Sequence, residues 1–229
     1  MQDIDWLSNL KLRGSFGFTG NNDIGGFFAS RNLFAGGADI DEQAGIAPAQ
    51  LGDETLQWES KRTIEGGIDL GLFNDRIFLN TTYYTENTDE LILPRQLAPV
   101  NGFTNITQNA GEIRTQGVEL QLETENIVTE NFNWSTTASA SWQGEKVKDL
   151  VTDTPIISGL QRAVEGESIT FNMPIFEGVD PEDGEALFRD ADGGTTKSPT
   201  TADNFNVGDV LPSWTGSFTN TFSFSQSWG

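Results

Sequence analysis

The 229-residue chain contains no cysteine and no histidine. The first absence removes disulfides and thiolate metal or redox sites. The second removes Ser-His-Asp triads, histidine-bound zinc and imidazole acid–base chemistry. Carboxylates are the chief groups left for any catalysis. Positive charge is scarce too: 13 Lys and Arg stand against 34 Asp and Glu, a formal net charge of −21. A polyanion cannot neutralise phosphates, so nucleic acid is excluded as an expected partner. Apolar residues, glycine not counted, make up 36% of the chain. No run of about 18 apolar residues exists to form a transmembrane helix. The opening MQDIDWLSNL lacks the basic start and apolar core of a signal peptide. A membrane role is not thereby excluded, because closed barrels also satisfy every backbone group.

What is abundant is glycine (25) and phenylalanine (16), with 6 tryptophans, arranged with a period of two. Such alternation predicts half-buried strands, and six runs carry it. Over residues 10–19, Leu10, Leu12, Phe16 and Phe18 alternate with Lys11, Arg13, Ser15 and Thr19. Over 58–72, Trp58, Ile64, Ile68, Leu70 and Leu72 oppose Glu59, Lys61, Thr63, Glu65 and Asp69. A turn at Phe73-Asn74-Asp75 leads into 76–86, where both faces carry aromatics and the orientation stays open. Over 112–124, Val118, Leu120 and Leu122 oppose Glu119, Gln121 and Glu123. Over 132–144, Trp134, Ala138, Ala140 and Trp142 oppose Ser135, Ser139, Ser141 and Gln143. The sixth run, from Trp214, sets Phe218, Phe222 and Phe224 against Ser217, Thr219, Thr221, Ser223 and Ser225.

The connections alternate strictly between short and long. Two are short, at 73–75 and around NIVTENF, and three are long: about 20–57, 87–111 and 145–208. In an up-and-down sheet this puts every long loop at one end. A soluble sandwich has strands of about 5–6 residues and no such sorting. An outer-membrane barrel has strands of about 10 residues or more, short turns at one end, long loops at the other and aromatic girdles. Runs of roughly 10–15 residues, with Trp58, Trp134 and Trp142 near their ends, favour the barrel. A secreted, soluble β-sandwich that binds carbohydrate is the alternative.

Candidate chemistry is thin. Asp190 and Asp192 have the spacing that opens an EF-hand loop, but Gly194 stands where a third ligand belongs and no Glu closes the loop. A solvated acidic loop is the better reading of 180–194. Same-side carboxylates such as Glu59, Glu65 and Asp69, or Glu119 and Glu123, could suit a glycosidase, yet polar residues on one side are what a water-filled lumen requires. No phosphate or dinucleotide glycine loop is present. The strand-interior glycines 14, 17, 66, 67, 71 and 117 call for bends, bulges or close packing. The loop aromatics Phe27, Phe28, Phe103, Phe171 and Phe176 could stack on a ligand or pack their own loops.

Six segments together resemble the late barrel strands of the SusC/RagA family of TonB-dependent outer-membrane transporters. In order they are LSNLKLRGSFGFTGN, LGDETLQWESKRTIEGGIDLGLFNDRI, NAGEIRTQGVELQLETENI, FNWSTTASASW, FEGVDPEDGEALFRDADG and GDVLPSWTGSFTNTFSFS. The block Leu56-Gln57-Trp58-Glu59 before the short turn is the most specific of them. The resemblance implies an all-β, antiparallel, up-and-down transmembrane barrel of 22 strands. Residues 1–229 would supply about six of these with long extracellular loops, and the plug domain and final strand would lie outside them. It further implies a place in the outer membrane of a Gram-negative, Bacteroidota-like cell, in contact with its lipids. A SusD-like surface lipoprotein would act as a lid, and energy would come from the TonB complex through a missing N-terminal region. The imported nutrient would be an oligosaccharide or a peptide. No cofactor, metal or catalytic residue is implied. Substrate-binding candidates are Arg13, Glu65, Asp69, Glu119 and Gln121 on the polar wall, with Arg95, Asn101 and Phe103 in the loops.

Overall fold

The computed structural model describes residues 5–22, 28–38, 43–98, 100, 102–152 and 154–224. The candidates Asn101 and Phe27, and Ser225 of the sixth run, lie outside them. In chain order the strands are β1 (Leu7–Asn21), β2 (Leu33–Gly36), β3 (Ile46–Gln50), β4 (Glu59–Leu72), β5 (Ile77–Gln96), β6 (Asn105–Val128) and β7 (Phe132–Leu150). They continue with β8 (Ile156–Ser158), β9 (Gln161–Ala163), β10 (Thr170–Pro174), β11 (Phe176–Val179), β12 (Ala186–Arg189), β13 (Thr195–Thr196), β14 (Asn204–Asp209) and β15 (Trp214–Phe224).

One antiparallel sheet of six strands, ordered β1-β4-β5-β6-β7-β15, organises the molecule. These are the six runs read from the sequence, and the order is up-and-down as expected. Directly opposed residues share a face, so the register settles the orientation of β5. Leu79 sits between Leu70 and Leu122, and Tyr83 between Gly66 and Val118. Ile77, Leu79 and Tyr83 therefore join the apolar side. Asn80 sits between Asp69 and Gln121 on the polar side.

No second sheet covers the apolar side among the described residues. Leu12 is 73% exposed, Ile68 47% and Phe218 71%. A sandwich would bury this face, so the sandwich alternative fails. Aromatic residues concentrate at both ends of the face. Trp142 pairs with Trp214 at one end, while Phe132 packs on Phe224 and Trp134 stacks on Phe222 at the other. Phe132 and Trp142 are ten positions apart on β7. That separation is about 33 Å along a strand, or roughly 25 Å of bilayer at a tilt near 40°.

Three expected loops carry more structure than the sequence suggested. The segment 87–111 is largely strand, because β5 and β6 continue past a double bulge between Thr88 and Ile92. Glu90 adopts a left-handed φ of 59° there. Segment 20–57 holds the β2–β3 hairpin. Segment 145–208 holds two small sheets, β14-β10-β9-β8 and β11-β12-β13, with a 3-10 turn at Thr201–Asp203. The buried apolar cluster of Ala110, Val147, Leu150, Ile156 and Ala163, with Leu93, Ile113 and Ile169 against it, joins this loop body to the ends of β5–β7.

Candidate functional site on the polar face

The polar side of the sheet is a grid of side chains in register. One row runs Lys11, Asp69, Asn80, Gln121, Ser139, Ser217 across all six strands. The adjacent row runs Arg13, Gly67, Thr82, Glu119, Ser141, Thr215. Four candidates, Arg13, Asp69, Glu119 and Gln121, fall in these two rows, and Glu65 is one row further along, between Ser15 and Tyr84.

The β1–β5 half of this belt is locked. Asp69 is 8% exposed. Its Oδ1 accepts from Arg13 Nε at 3.0 Å and from Asn80 Nδ2 at 2.6 Å, and its Oδ2 lies 3.9 Å from Lys11 Nζ. Arg13 Nη2 also donates to Thr82 Oγ1 at 3.1 Å. The guanidinium can reach both partners because it crosses bare backbone: a Cβ on Gly67 would sit 2.8 Å from Arg13 Nη2. Likewise the Tyr84 ring lies across Gly117, where a Cβ would stand 2.6 Å from its Oη. These two strand-interior glycines are close-packing glycines, as the sequence required. Ser15 Oγ donates to Glu65 Oε2 at 3.0 Å.

The β6–β15 half is open. Glu119 forms no ion pair among the described residues, and Gln121 Nε2 donates to Glu123 Oε1 at 2.9 Å. Beside them, hydroxyls pair across strands, Ser139 with Ser217 at 2.8 Å and Ser141 with Thr215 at 2.7 Å. Asn80, Glu119, Gln121, Ser139, Ser141 and Ser217 line a shallow polar recess. It offers carboxylate and amide acceptors, an amide donor and hydroxyls, a set suited to hydrogen-bonding a polyhydroxylated or amide-bearing molecule. Asn80 and the hydroxyl ladder were not singled out from sequence. Their signal was present in the serine alternation of 132–144, but the open orientation of 76–86 hid Asn80.

Arg95 and Phe103 do not join the belt. Arg95 pairs with Ile106 on the far extension of β5, and Phe103 lies at the tip between β5 and β6. Phe171 of β10 and Phe176 of β11 belong to the two small loop sheets, and Phe176 packs edge-on against Phe188. The base of the β5–β6 extension is clamped by residues of the LQWE block. Asn109 Oδ1 accepts from Gln57 N at 2.7 Å, while its Nδ2 donates to Gln57 O at 2.9 Å and Glu90 O at 2.7 Å. Glu59 accepts from Ile92 N at 2.9 Å and Asn21 Nδ2 at 2.7 Å.

The loop body is cross-linked by charge. Lys197 Nζ is 2.8 Å from Asp180 Oδ2, contacts Asp183 and lies 3.7 Å from Glu185. The hydrogen bonds to Asp180 and Asp183 raise the lysine's pKa, and Lys197 lowers those of both carboxyls. Arg189 Nε donates to Glu177 at 2.6 Å and its guanidinium stands 5.8 Å from the Phe205 ring centre. Asp203 accepts from Thr200 N at 2.7 Å, Thr200 Oγ1 at 2.8 Å and Ala191 N at 3.0 Å. The Thr200 backbone bond leads the causes that depress its pKa. Asp190 Oδ1 is occupied by the amides of Asp192 and Gly194. The acidic turn is thus bonded to itself, in keeping with a solvated loop.

Comparison with known proteins follows this architecture closely. The family model described as TonB dependent receptor-like, beta-barrel matches residues 4–229. TonB-dependent receptor P3 of Formosa agariphila is 29% identical over 99% of this chain and 25% of its own length. TonB-dependent receptor P39 of the same organism is 33% identical over 74% of this chain and 16% of its own. TonB-dependent receptor SusC of Bacteroides thetaiotaomicron is 29% identical over 66% of this chain and 16% of its own. Among solved structures, the RagAB peptide transporter superposes with a TM-score of 0.77 at 24% identity, over 97% of this chain and 26% of that one. The chain spans about a quarter of the length of the full-coverage relatives.

Proposed function

This chain belongs to the TonB-dependent receptor-like β-barrel family of outer-membrane proteins, a transport family and not an enzyme family, and from that premise we propose that it is a six-stranded arc of the wall of a nutrient importer. The apolar side meets lipid and the polar side lines the path of the cargo. The free edges of β1 and β15 receive neighbouring wall strands of the same barrel, with a plug domain inside it. The β5–β6 extension and the loop body rise on the extracellular side. There, Arg95 and Phe103, together with a SusD-like lipoprotein lid, receive an oligosaccharide or peptide. Energy reaches the plug through TonB.

The observation that carries this reading is the division of the sheet into an apolar face that no other described element covers and a continuous polar grid, with all long connections at one end. Within the grid the roles divide. Asp69 is a positioning residue that holds Arg13 and Asn80, whereas the Glu119 carboxylate and the Gln121 amide, which Glu123 orients, face the cargo. In the full-length transporter, Glu119→Gln combined with Gln121→Ala is expected to reduce uptake about five- to tenfold, the scale of one or two lost hydrogen bonds to a charged or amide group. Surface abundance and heat-resistant migration of the folded barrel should not change. Unaltered uptake by a normally assembled variant would remove the belt from the transport path.

A further inference from the structure

Positive charge is rare in this protein, yet four of its 13 bases gather on the lipid-facing side at the extracellular end of the wall. Arg62 of β4, Asn87 of β5, Arg114 of β6 and Lys146 of β7 stand opposite one another in a single row. They stand an even number of positions from the apolar residues Ile64, Val118 and Trp142 further down the same strands, which places the row on the same, outer face. Lys148 follows at the β7 bulge. All four bases are exposed, and none has an ion-pair partner within 4 Å among the described residues. By contrast, Lys11, Arg13 and Lys61 on the polar side and Arg162, Arg189 and Lys197 in the loop body are all paired. The carboxylates Asp89, Glu112 and Asp149 lie beyond the row, further from the bilayer.

Arg114 directly opposite Lys146 is an unfavourable cross-strand pair, because like charges at that spacing repel. Arg114, Gln116, Trp142, Gly144, Lys146 and Lys148 line one recess, with Glu145 as its single carboxylate. Two side-chain steps down from the row, Trp142 and Trp214 form the aromatic end of the hydrocarbon band. The row therefore sits about 13 Å along the strand above the tryptophans, at headgroup depth.

We propose that this row binds the phosphate groups of the phosphorylated glycolipid that fills the outer leaflet of the outer membrane. The reading rests on the lipid-facing assignment of this side. An anion seated between Arg114 and Lys146 turns their repulsion into two charge-assisted bonds, with Arg114 able to grip phosphate through two nitrogens. Arg62 reaches a second phosphate, since it lies two strands away, about 10 Å at normal strand spacing. Trp142 packs on the lipid below its headgroup. The acidic loops repel the same lipid and leave this row as its contact.

The test uses the full-length transporter in dodecyl maltoside, titrated with diphosphoryl lipid A and with chemically dephosphorylated lipid A. The wild type should bind the phosphorylated form at least tenfold more tightly, and raising the salt should weaken it. R114Q/K146Q should lose that tenfold preference and R62Q about threefold of it, while R114K restores most of it and R189Q, at a paired loop base, changes nothing. Equal affinity for the two lipids in the wild type, which needs no variant to fold, overturns the proposal. So does complete displacement by millimolar inorganic phosphate, or a native mass showing a second copy of the protein covering the row. Lipid binding that persists while the Glu119 variant transports normally would fault the belt and not this site.

Discussion

The six-stranded sheet and the loop body of residues 156–209 solve the burial problem in opposite ways. The sheet has almost no interior: its apolar side chains point outward and its polar ones form a bonded grid on the reverse. The loop body is built like a fragment of a water-soluble protein. Ile156 and Ala163 of the loop body are buried against Ala110, Val147 and Leu150 at the ends of β6 and β7, and its sheets are stapled by Arg189, Lys197 and Asp203. The same chain is thus written for two solvents. The sheet depends on hydrocarbon around it, and the loop body depends on hiding a few apolar groups from water.

A charge placed on each part should expose that difference most sharply. Ile68→Arg or Leu120→Arg on the lipid side is expected to destabilise the inserted barrel by about 2–4 kcal/mol near mid-bilayer. Ser139→Arg, facing the polar recess, should leave assembly nearly unchanged. Urea unfolding of full-length protein in lipid vesicles measures both, and equal costs on the two faces would reverse the assignment of solvents.

A smaller effect separates the loop body from the wall. Val147→Ala removes two buried carbons from a site with no exposure and should cost about 2 kcal/mol, from lost burial plus the cavity left behind. The loss should show as faster protease cleavage within 156–209, with the wall strands still protected. Loss of the barrel itself would mean that the two regions fold as one cooperative unit.

The smallest effect is set by pH. Hydrogen bonds hold the Asp203 carboxyl below its usual value, so the unfolded loop binds that proton more readily than the folded one. Its contribution is complete above the ordinary aspartate range and is lost as pH falls through the lower folded value. Proteolytic opening of the 190–203 turns should therefore quicken on acidification below about pH 4, and Asp203→Asn should flatten that dependence. A profile unchanged by the substitution would show that other carboxylates control the opening.

Much of this was legible in advance. The Phe73-Asn74-Asp75 turn is present, with three successive left-handed residues at φ of 54°, 57° and 62°. Asn and Asp tolerate that conformation, and Phe73 is carried along by bonds to Trp6 O and within the turn. The extension of β5 was not legible. Its period shifts at the Thr88–Leu91 bulge, and Pro94 within a run argues against a strand, so residues 87–111 read as loop. Of the candidate residues, Arg13, Asp69, Glu119 and Gln121 share one belt because each lies at a polar position of an alternating run. Arg95 and Phe103 come from the segment whose period breaks, and they lie apart from the belt, at the far end of the β5–β6 extension.

Sequence alone settled that this chain makes long two-faced strands joined by unequal loops, because a period of two is a local property of consecutive side chains. It also settled the absence of thiol, imidazole and transmembrane-helix chemistry, which composition decides without any fold. Which polar residues meet could be decided only by register. Asp69 finds Arg13 from a strand 56 residues earlier, and Arg114 faces Lys146 across a bulged ladder. Neither pairing leaves a mark on the spacing within a strand, because hydrogen bonds between strands, not the chain's own periodicity, determine who stands opposite whom.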